Sequence, residues 1–329
     1  MNNVVFPLRL LPNKVQRQVI KNLDIFHLIS FSLISKKSKA LVQSFKTKVE
    51  KFLVEISEED SLSFTTFFGQ NRGYSTFTIH SNPDRDPDEQ LCSLDQVTDE
   101  IEISTSTGNW YNTPVIWKNL EFLFLEWVQH FCSLFIFSES SLEIETGNEI
   151  FDSLAIRNLL PEWTDVDVFE ASIEYSDKIF ELFAPFTKNF ITVNWRDGFP
   201  TSQKFVIQNY DSLYTDNPFT LDDAIISNAS KIVTSRFTIP DFNRFIKHWM
   251  KMSNPRLKKF KAYDIEELND GKLLKGIQHQ VMPDDLVREW YEKNTIRGGI
   301  DIRNKKGILA TLVVEKGIRF MEINMFVWN

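Results

Sequence analysis

Glycine is scarce, 11 in 329 residues, which works against a fold built on many glycine-dependent hairpin turns. Cysteine is scarcer: Cys92 and Cys132 are too few for a disulfide framework and have no metal-ligand spacing. They read as reduced, buried thiols of a protein kept in a reducing compartment. The five histidines (His27, His80, His130, His248 and His279) show no H-x-x-x-H spacing. His130 and Cys132 are close, but on the apolar end of an expected helix, where a packed histidine is a simpler reading than a ligand or nucleophile. There is no G-x-S-x-G elbow, P-loop or dinucleotide fingerprint, and "RGGID" lacks the strand-to-helix setting of a phosphate loop. The expectation is a chain without cofactor, metal or enzymatic role. Long apolar runs are missing too. The stretch Ile25–Ile34 carries His27 and serines and falls short of the roughly 20 residues a membrane span needs. The first residues lack the pattern of a signal peptide. A soluble protein of the cytoplasm, the nucleus or both is expected, with no membrane partner.

What the chain does have is phenylalanine, 29 against 7 tyrosines and 8 tryptophans, enough for a substantial core. It also has an uneven charge. Residues 1–51 carry ten Lys/Arg and two acids, a net +8, while the remainder carries −16. Such a split points the N-terminal segment toward an acidic partner, either nucleic acid or protein.

That segment, "FPLRLLPNKVQRQVIKNLDIFHLISFSLISKKSKALV" (6–42), reads as three short helices. Pro12 suits a first helical turn, and Val15, Val19 and Leu23 follow at four-residue spacing with Ile20 beside them. Asp24 is placed to cap a second helix through Leu28 and Phe31, and Ser35 a third with Leu41, Val42 and Phe45 on its apolar side. Three helices in about 45 residues bury little surface and need a neighbour or partner. Nucleic acid is disfavoured as that partner: the lysines interleave with Leu and Ile, and neither stacking aromatics nor base-reading clusters accompany them.

From Val49 the period changes to strands: "KVEKFLVEIS", "LSFTTFF" and, after "GQNRG", "YSTFTIHS", the last two as a hairpin. A polar loop is expected over 81–97, beginning "SNPDRDPDEQ". Then helices and strands alternate, with a helix over 117–131, another in "NEIFDSLAIRNLLPEW", and strands starting near 133, 166, 189, 231 and 257. Repeats at such intervals suggest a parallel sheet with helices on one side, as in a leucine-rich-repeat-like solenoid, with a doubly wound sheet as the alternative. The turn signals "NKKG" and "EKG" predict a C-terminal antiparallel β meander covering the open sheet edge. The fold class is therefore α/β, α+β overall.

Two stretches resemble known families. Leu11-Pro12, Val15, Val19-Ile20, Leu23-Asp24, Leu28 and "LISKKSKALV" resemble the F-box, especially that of nematode F-box proteins, which share a small residue at Ser38 where many F-boxes carry tryptophan. "FTIPDFNRFIKHWMKMSNPRLKKFKAYDI", with "GGIDIRNKKGILATLVV" and "MFVW", resembles the nematode F-box-associated domain of the second type. In that helix Thr238 and Asp241 imitate a capping box, Pro240 suits the first turn, and Phe242, Phe245, Ile246 and Trp249 share one face before Ser253-Asn254-Pro255 stops it. Together the matches cover residues 6–46 and about 190–329. The resemblance implies an F-box over 1–47 and an F-box-associated α/β substrate-recognition domain over 48–329. It implies a substrate receptor of a Skp–cullin–F-box ubiquitin ligase, docked on a Skp-type adaptor and through it on a cullin, and binding an unidentified protein target. Adaptor-facing candidates are Leu8, Leu11, Pro12, Val15, Val19, Ile20, Leu23, Leu28, Phe31, Ile34, Ser35 and Lys36. A non-ubiquitin scaffold, or a nucleic-acid-binding module using the basic helices, is the alternative.

Overall fold

The computed structural model describes residues 11–23, 25–57, 61–67, 74–80, 100–107, 110–111, 115–118, 123–145, 149, 151–169, 171–193, 203–216, 219–235, 237–265, 270–291, 294–316 and 321–328. Leu8, Asp24, Cys92, the "GQNRG" turn and the 81–97 loop lie outside them. The chain is mixed α/β and divides into two compact units, one of residues 1–141 and 150–159, the other of 142–149 and 160–329.

The first unit opens with the three expected helices, α1 (Asn13–Lys21), α2 (Ile25–Leu33) and α3 (Lys36–Gln43). Strands β1 (Thr47–Ile56), β2 (Ser61–Phe67), β3 (Tyr74–His80) and β4 (Glu100–Thr107) follow as an antiparallel meander, with β5 (Trp110–Tyr111) and β6 (Val115–Lys118) both paired to β4. Helix α4 (Phe124–Leu134) seats Phe131 against Phe64 of β2, ring centroids 4.6 Å apart. Trp127, Val128 and Leu134 on the same helix are also buried. The helix expected over 117–131 is thus shifted, because β6, nucleated by the β-branched Val115 and Ile116, takes Trp117 and Lys118 into its pairing with β4. Glu126 then caps the helix by accepting the Leu123 backbone N–H at 3.0 Å. Strand β7 (Phe135–Glu145) gives its first part to this unit and its remainder to the second, and the short helix α5 (Ser153–Arg157) belongs to the first. Among the described residues of "NEIFDSLAIRNLLPEW" five are helical, starting after Asp152, whose side chain accepts the Leu154 N–H.

The second unit is a run of helix–strand steps. Its strands are β8 (Trp163–Phe169), β9 (Thr187–Val193), β10 (Ser212–Thr215), β11 (Lys231–Ser235) and β12 (Lys259–Ile265). They pair in parallel and in chain order. Between them lie α6 (Ile173–Phe183), α7 (Gln203–Val206), α8 (Leu221–Ile226) and α9 (Ile239–Met250). Strand β10 was not foreseen. It is four residues long and set among Asn and Asp, and it divides the one overlong interval between expected strands. Sequential order, without the reversal of a doubly wound sheet, rules out that alternative for this run.

The helices cover one sheet face. Phe180 of α6 and Phe205 just ahead of β10 pack on Phe190 of β9, while Phe242 and Phe245 of α9 pack on Phe260 of β12. Helix α9 forms as its sequence predicts. Thr238 accepts the Asp241 N–H at 3.2 Å, and Ile239, Phe242, Phe245, Ile246 and Trp249 are buried. After it, Asn254 adopts a left-handed φ of 53° and donates through Nδ2 to the carbonyls of Ala224 and Ser227, tying the helix exit to α8.

Beyond β12 come α10 (Asp270–Leu273), β13 (Gln280–Val281), the ribbon β14 (Val287–Trp290) and β15 (Asn294–Arg297), then β16 (Ile300–Arg303), β17 (Leu309–Lys316) and β18 (Met321–Trp328). The last three form the expected antiparallel meander, and β18 pairs with β12 along the edge that the parallel run leaves open. "RGGID" is the turn from β15 into β16. Gly299 has φ 93°, and a Cβ there would lie 2.7 Å from Thr311 Cγ2 and 2.8 Å from the Leu312 carbonyl, so only glycine fits. "NKKG" is a turn closed by Asn304, whose Oδ1 accepts from the Lys306 and Ile308 N–H groups.

Candidate functional site

The three N-terminal helices are short, and each spends few residues on its own core. Helix α1 starts at Pro12, whose carbonyl accepts from Val15 and Gln16, while the Gln16 side chain donates back to the Leu11 carbonyl at 2.7 Å. Val15 and Val19 lie four residues apart on one side of α1, and Ile20, a hundred degrees round, points inward. Helix α3 starts at Ser35, whose Oγ accepts the Ser38 N–H at 3.2 Å and lies 3.0 Å from Ser38 Oγ.

The sequence-predicted residues separate by exposure. Ile20 (0% exposed) and Leu28 (6%) are interior, packed within the chain. Val15 is 43% exposed and Ile34 64%. Pro12 and Lys36 are also exposed, while Leu11, Val19, Leu23, Phe31 and Ser35 are partly so. Sequence reasoning passed over Ile29 and Ser32, which with Val42 complete this interior. It also placed Ser38 at a position where larger rings are common. Ser38 is 2% exposed and held by the α3 cap, so a small polar side chain is accommodated inside by hydrogen bonding.

One further contact fixes α2. Ser32 Oγ lies 2.7 Å from His130 Nε2 of α4 and donates to the Ile29 carbonyl at 2.6 Å. With its one proton used, the serine must accept, so His130 carries its proton on Nε2. Burial, then the charge of Lys39, lower the His130 pKa to about 4, keeping the ring neutral. The histidine is therefore packed, as expected. Burial pushes the Cys132 thiol up to about 11, far from the thiolate a nucleophile needs. Among the described residues no group of three or more His, Cys, Asp or Glu could hold a metal. No described helix is long and apolar enough to cross a membrane.

Comparison with known proteins bears on the same helices. The family described as "F-box domain" matches residues 8–50, spanning α1 to α3, and the family described as "F-box associated" matches residues 201–262, from α7 through most of β12. An F-box match followed by an F-box-associated match supports the reading of a nematode-type F-box protein. The F-box associated domain-containing protein sdz-33 of Caenorhabditis elegans is 26% identical over 263 residues, 79% of this chain and 79% of that protein. No solved structure matches. Within the F-box, Ile20 and Leu28 hold the module together, whereas Val15 and Ile34 are available for contact. The F-box-associated match is narrower than the resemblance traced from sequence, and stops before the C-terminal meander.

Proposed function

We propose that this chain is the substrate-recognition subunit of a Skp–cullin–F-box ubiquitin ligase. Its F-box, residues 1–47, docks on a Skp-type adaptor and through it on a cullin, and residues 48–329 hold a protein target. The chain contributes binding, and ubiquitin transfer belongs to other subunits. The observation that carries the reading is the exposure of Val15 and Ile34 within helices matched as an F-box. Apolar side chains left outside a small helical module are what a partner covers. In this reading Leu8, Leu11, Pro12, Val15, Val19, Leu23, Phe31, Ile34, Ser35 and Lys36 form the docking face, and Ile20 and Leu28 support it from within. Exposed lysines at its rim suit an acidic adaptor and speed encounter. We further read the run from β8 to β12 as leucine-rich-repeat-like, on the support of its sequential parallel strands and one-sided helices.

The test is co-elution of purified protein with a Skp-type adaptor, compared with Val15→Asp plus Ile34→Asp and with Leu11→Ala plus Pro12→Ala. Loss of the complex by folded variants supports the reading, and undiminished binding by the Val15/Ile34 variant overturns it. Point variants are preferable to deleting residues 1–46, because deletion would also remove Ser32 from His130. Salt-sensitive nucleic-acid binding without an adaptor complex would favour the nucleic-acid module instead.

A further inference from the structure

The second unit has a sheet face that its helices do not cover. Alternate residues on parallel strands point the same way, so the register assembles this face in rows. One row is Asp165, Asn189, Ser212, Lys231 and Lys259, and the next is Asp167, Ile191, Tyr214, Val233 and Lys261. All ten are partly exposed, in contrast to the buried Val166, Phe190, Leu213, Ile232 and Phe260 that alternate with them.

Charge is sorted across the face. At the β8 end stand Asp165 and Asp167, with Asp165 accepting from Asn189 Nδ2 at 2.7 Å. Tyr214 stands on the central strand β10, and Tyr263 of β12 donates to it through their hydroxyls at 2.9 Å, their rings stacked at 6.0 Å. At the other end Lys231, Lys259 and Lys261 converge. Burial first, then Lys261, with Lys231 behind it, lower the Lys259 pKa against the opposing pull of Glu315 and Glu322. Lys261 is bound to Glu322 at 2.8 Å. Lys259 has no carboxylate at ion-pair distance among the described residues and rests over the Phe326 ring at 5.2 Å.

This basic end is closed by the β14–β15 ribbon. Trp290 packs on Phe326 with centroids 5.0 Å apart and donates its indole N–H to the Val327 carbonyl. Arg288 makes a paired contact with Asp301 and lies 5.0 Å over the Trp328 ring. The face is thus open from β8 to β12 and walled beyond β12.

Building on the substrate-receptor reading, we infer that this open face is the target-recognition surface. It takes an extended protein segment with an acidic side chain over Lys231 and Lys259 and a basic one over Asp165 and Asp167. Tyr214, with Tyr263 of β12 stacked on it, forms the platform between. The occupant is argued from charge complementarity: one acidic end and one basic end favour a segment carrying a charge of each sign. The spacing follows from the sheet. Four inter-strand steps from β8 to β12 span about 19 Å, the reach of about six residues of extended chain. The carboxylates Glu315 and Glu322, on the same face toward the strand ends, keep the acidic group over the row of Lys231 and Lys259.

The experiment selects peptides from a random-peptide phage library on the full chain in complex with its adaptor. The recovered sequence is then synthesised with a fluorescent label and titrated by anisotropy. The expected motif has an acidic and a basic residue about six positions apart. Lys231→Glu plus Lys259→Glu weakens the peptide at least about tenfold, and a peptide with its acidic residue changed to lysine recovers part of the loss. Tyr263→Phe, which removes the hydroxyl that donates to Tyr214, weakens it less. Enrichment of peptides indifferent to these lysines, or no enrichment at all, overturns the inference, as does preferential binding of single-stranded nucleic acid. Adaptor co-elution of the same variants separates the outcomes: retained adaptor binding with no peptide binding removes this surface and leaves the ligase reading standing.

Discussion

Helices α1 and α9 start from similar material and end differently. Both begin at a proline-containing turn and both are strongly amphipathic by sequence. Helix α9 buries Ile239, Phe242, Phe245, Ile246 and Trp249, whereas α1 buries only Ile20 and leaves Val15 43% exposed. The difference lies in what each has to pack against: α9 has a sheet carrying Phe260, while α1 belongs to a module of three short helices. A periodic apolar face therefore announces burial without saying whether the cover is the chain's own or another protein's.

The largest expected effect removes the cover on the self-sufficient side. Trp249→Ala is expected to destabilise the second unit by about 3–5 kcal/mol, read as a lowered denaturant midpoint, and an unchanged midpoint would contradict the account of α9. The comparison is broken from the other side by Val15→Asp plus Ile34→Asp. Adaptor affinity should fall by about 2–4 kcal/mol while thermal unfolding of the free chain stays where it was. A matching loss of stability would mean those side chains already have cover.

Gly299→Ala should cost about 1–3 kcal/mol, from the left-handed φ and the close approach of Thr311 and Leu312, and scanning calorimetry would report it. The smallest effect sharpens the contrast at α2. The His130 pKa is lowered in the folded chain to about 4 from 6.5, so the unfolded chain takes the proton first. Its stabilising contribution is complete above about pH 6.5 and is lost as pH falls toward about 4. One pH unit below 6.5, the folding equilibrium should drop about tenfold. His130→Gln should flatten this pH dependence, and a variant as acid-sensitive as the parent would remove His130 as its origin.

Much of this organisation was legible in the sequence, for physical reasons. Capping residues and i, i+3, i+4 spacing are local signals, so α3 and α9 start where Ser35 and Thr238 place them. The meander was readable because Gly307 and Asn304 mark a turn by chemistry. Strand β10 was not readable: four residues, Ser212–Thr215, carry too little pattern, and parallel neighbours define them more than their own sequence does. The shift of α4 had the same cause, a tertiary pairing of Val115–Lys118 with β4 overriding helical periodicity. For the candidate site, sequence supplied candidate residues but not their division into interior and exposed, since Ile20 and Val15 differ only in which way one helical turn faces. The open face of β8 to β12 was invisible, because the Lys231, Lys259 and Lys261 group exists only in the register.

The pairing of β18 with β12 has a consequence in time. The parallel run can assemble step by step as each unit emerges, but the outer edge of β12 stays unpaired while everything from α10 to β17 is still being synthesised. At ribosomal rates that interval is on the order of seconds, and throughout it a row of free backbone donors and acceptors is on offer to any other strand. The final pairing therefore acts as a seal on the newborn protein, and any lesion that delays or loses β18 would be felt first as aggregation during synthesis.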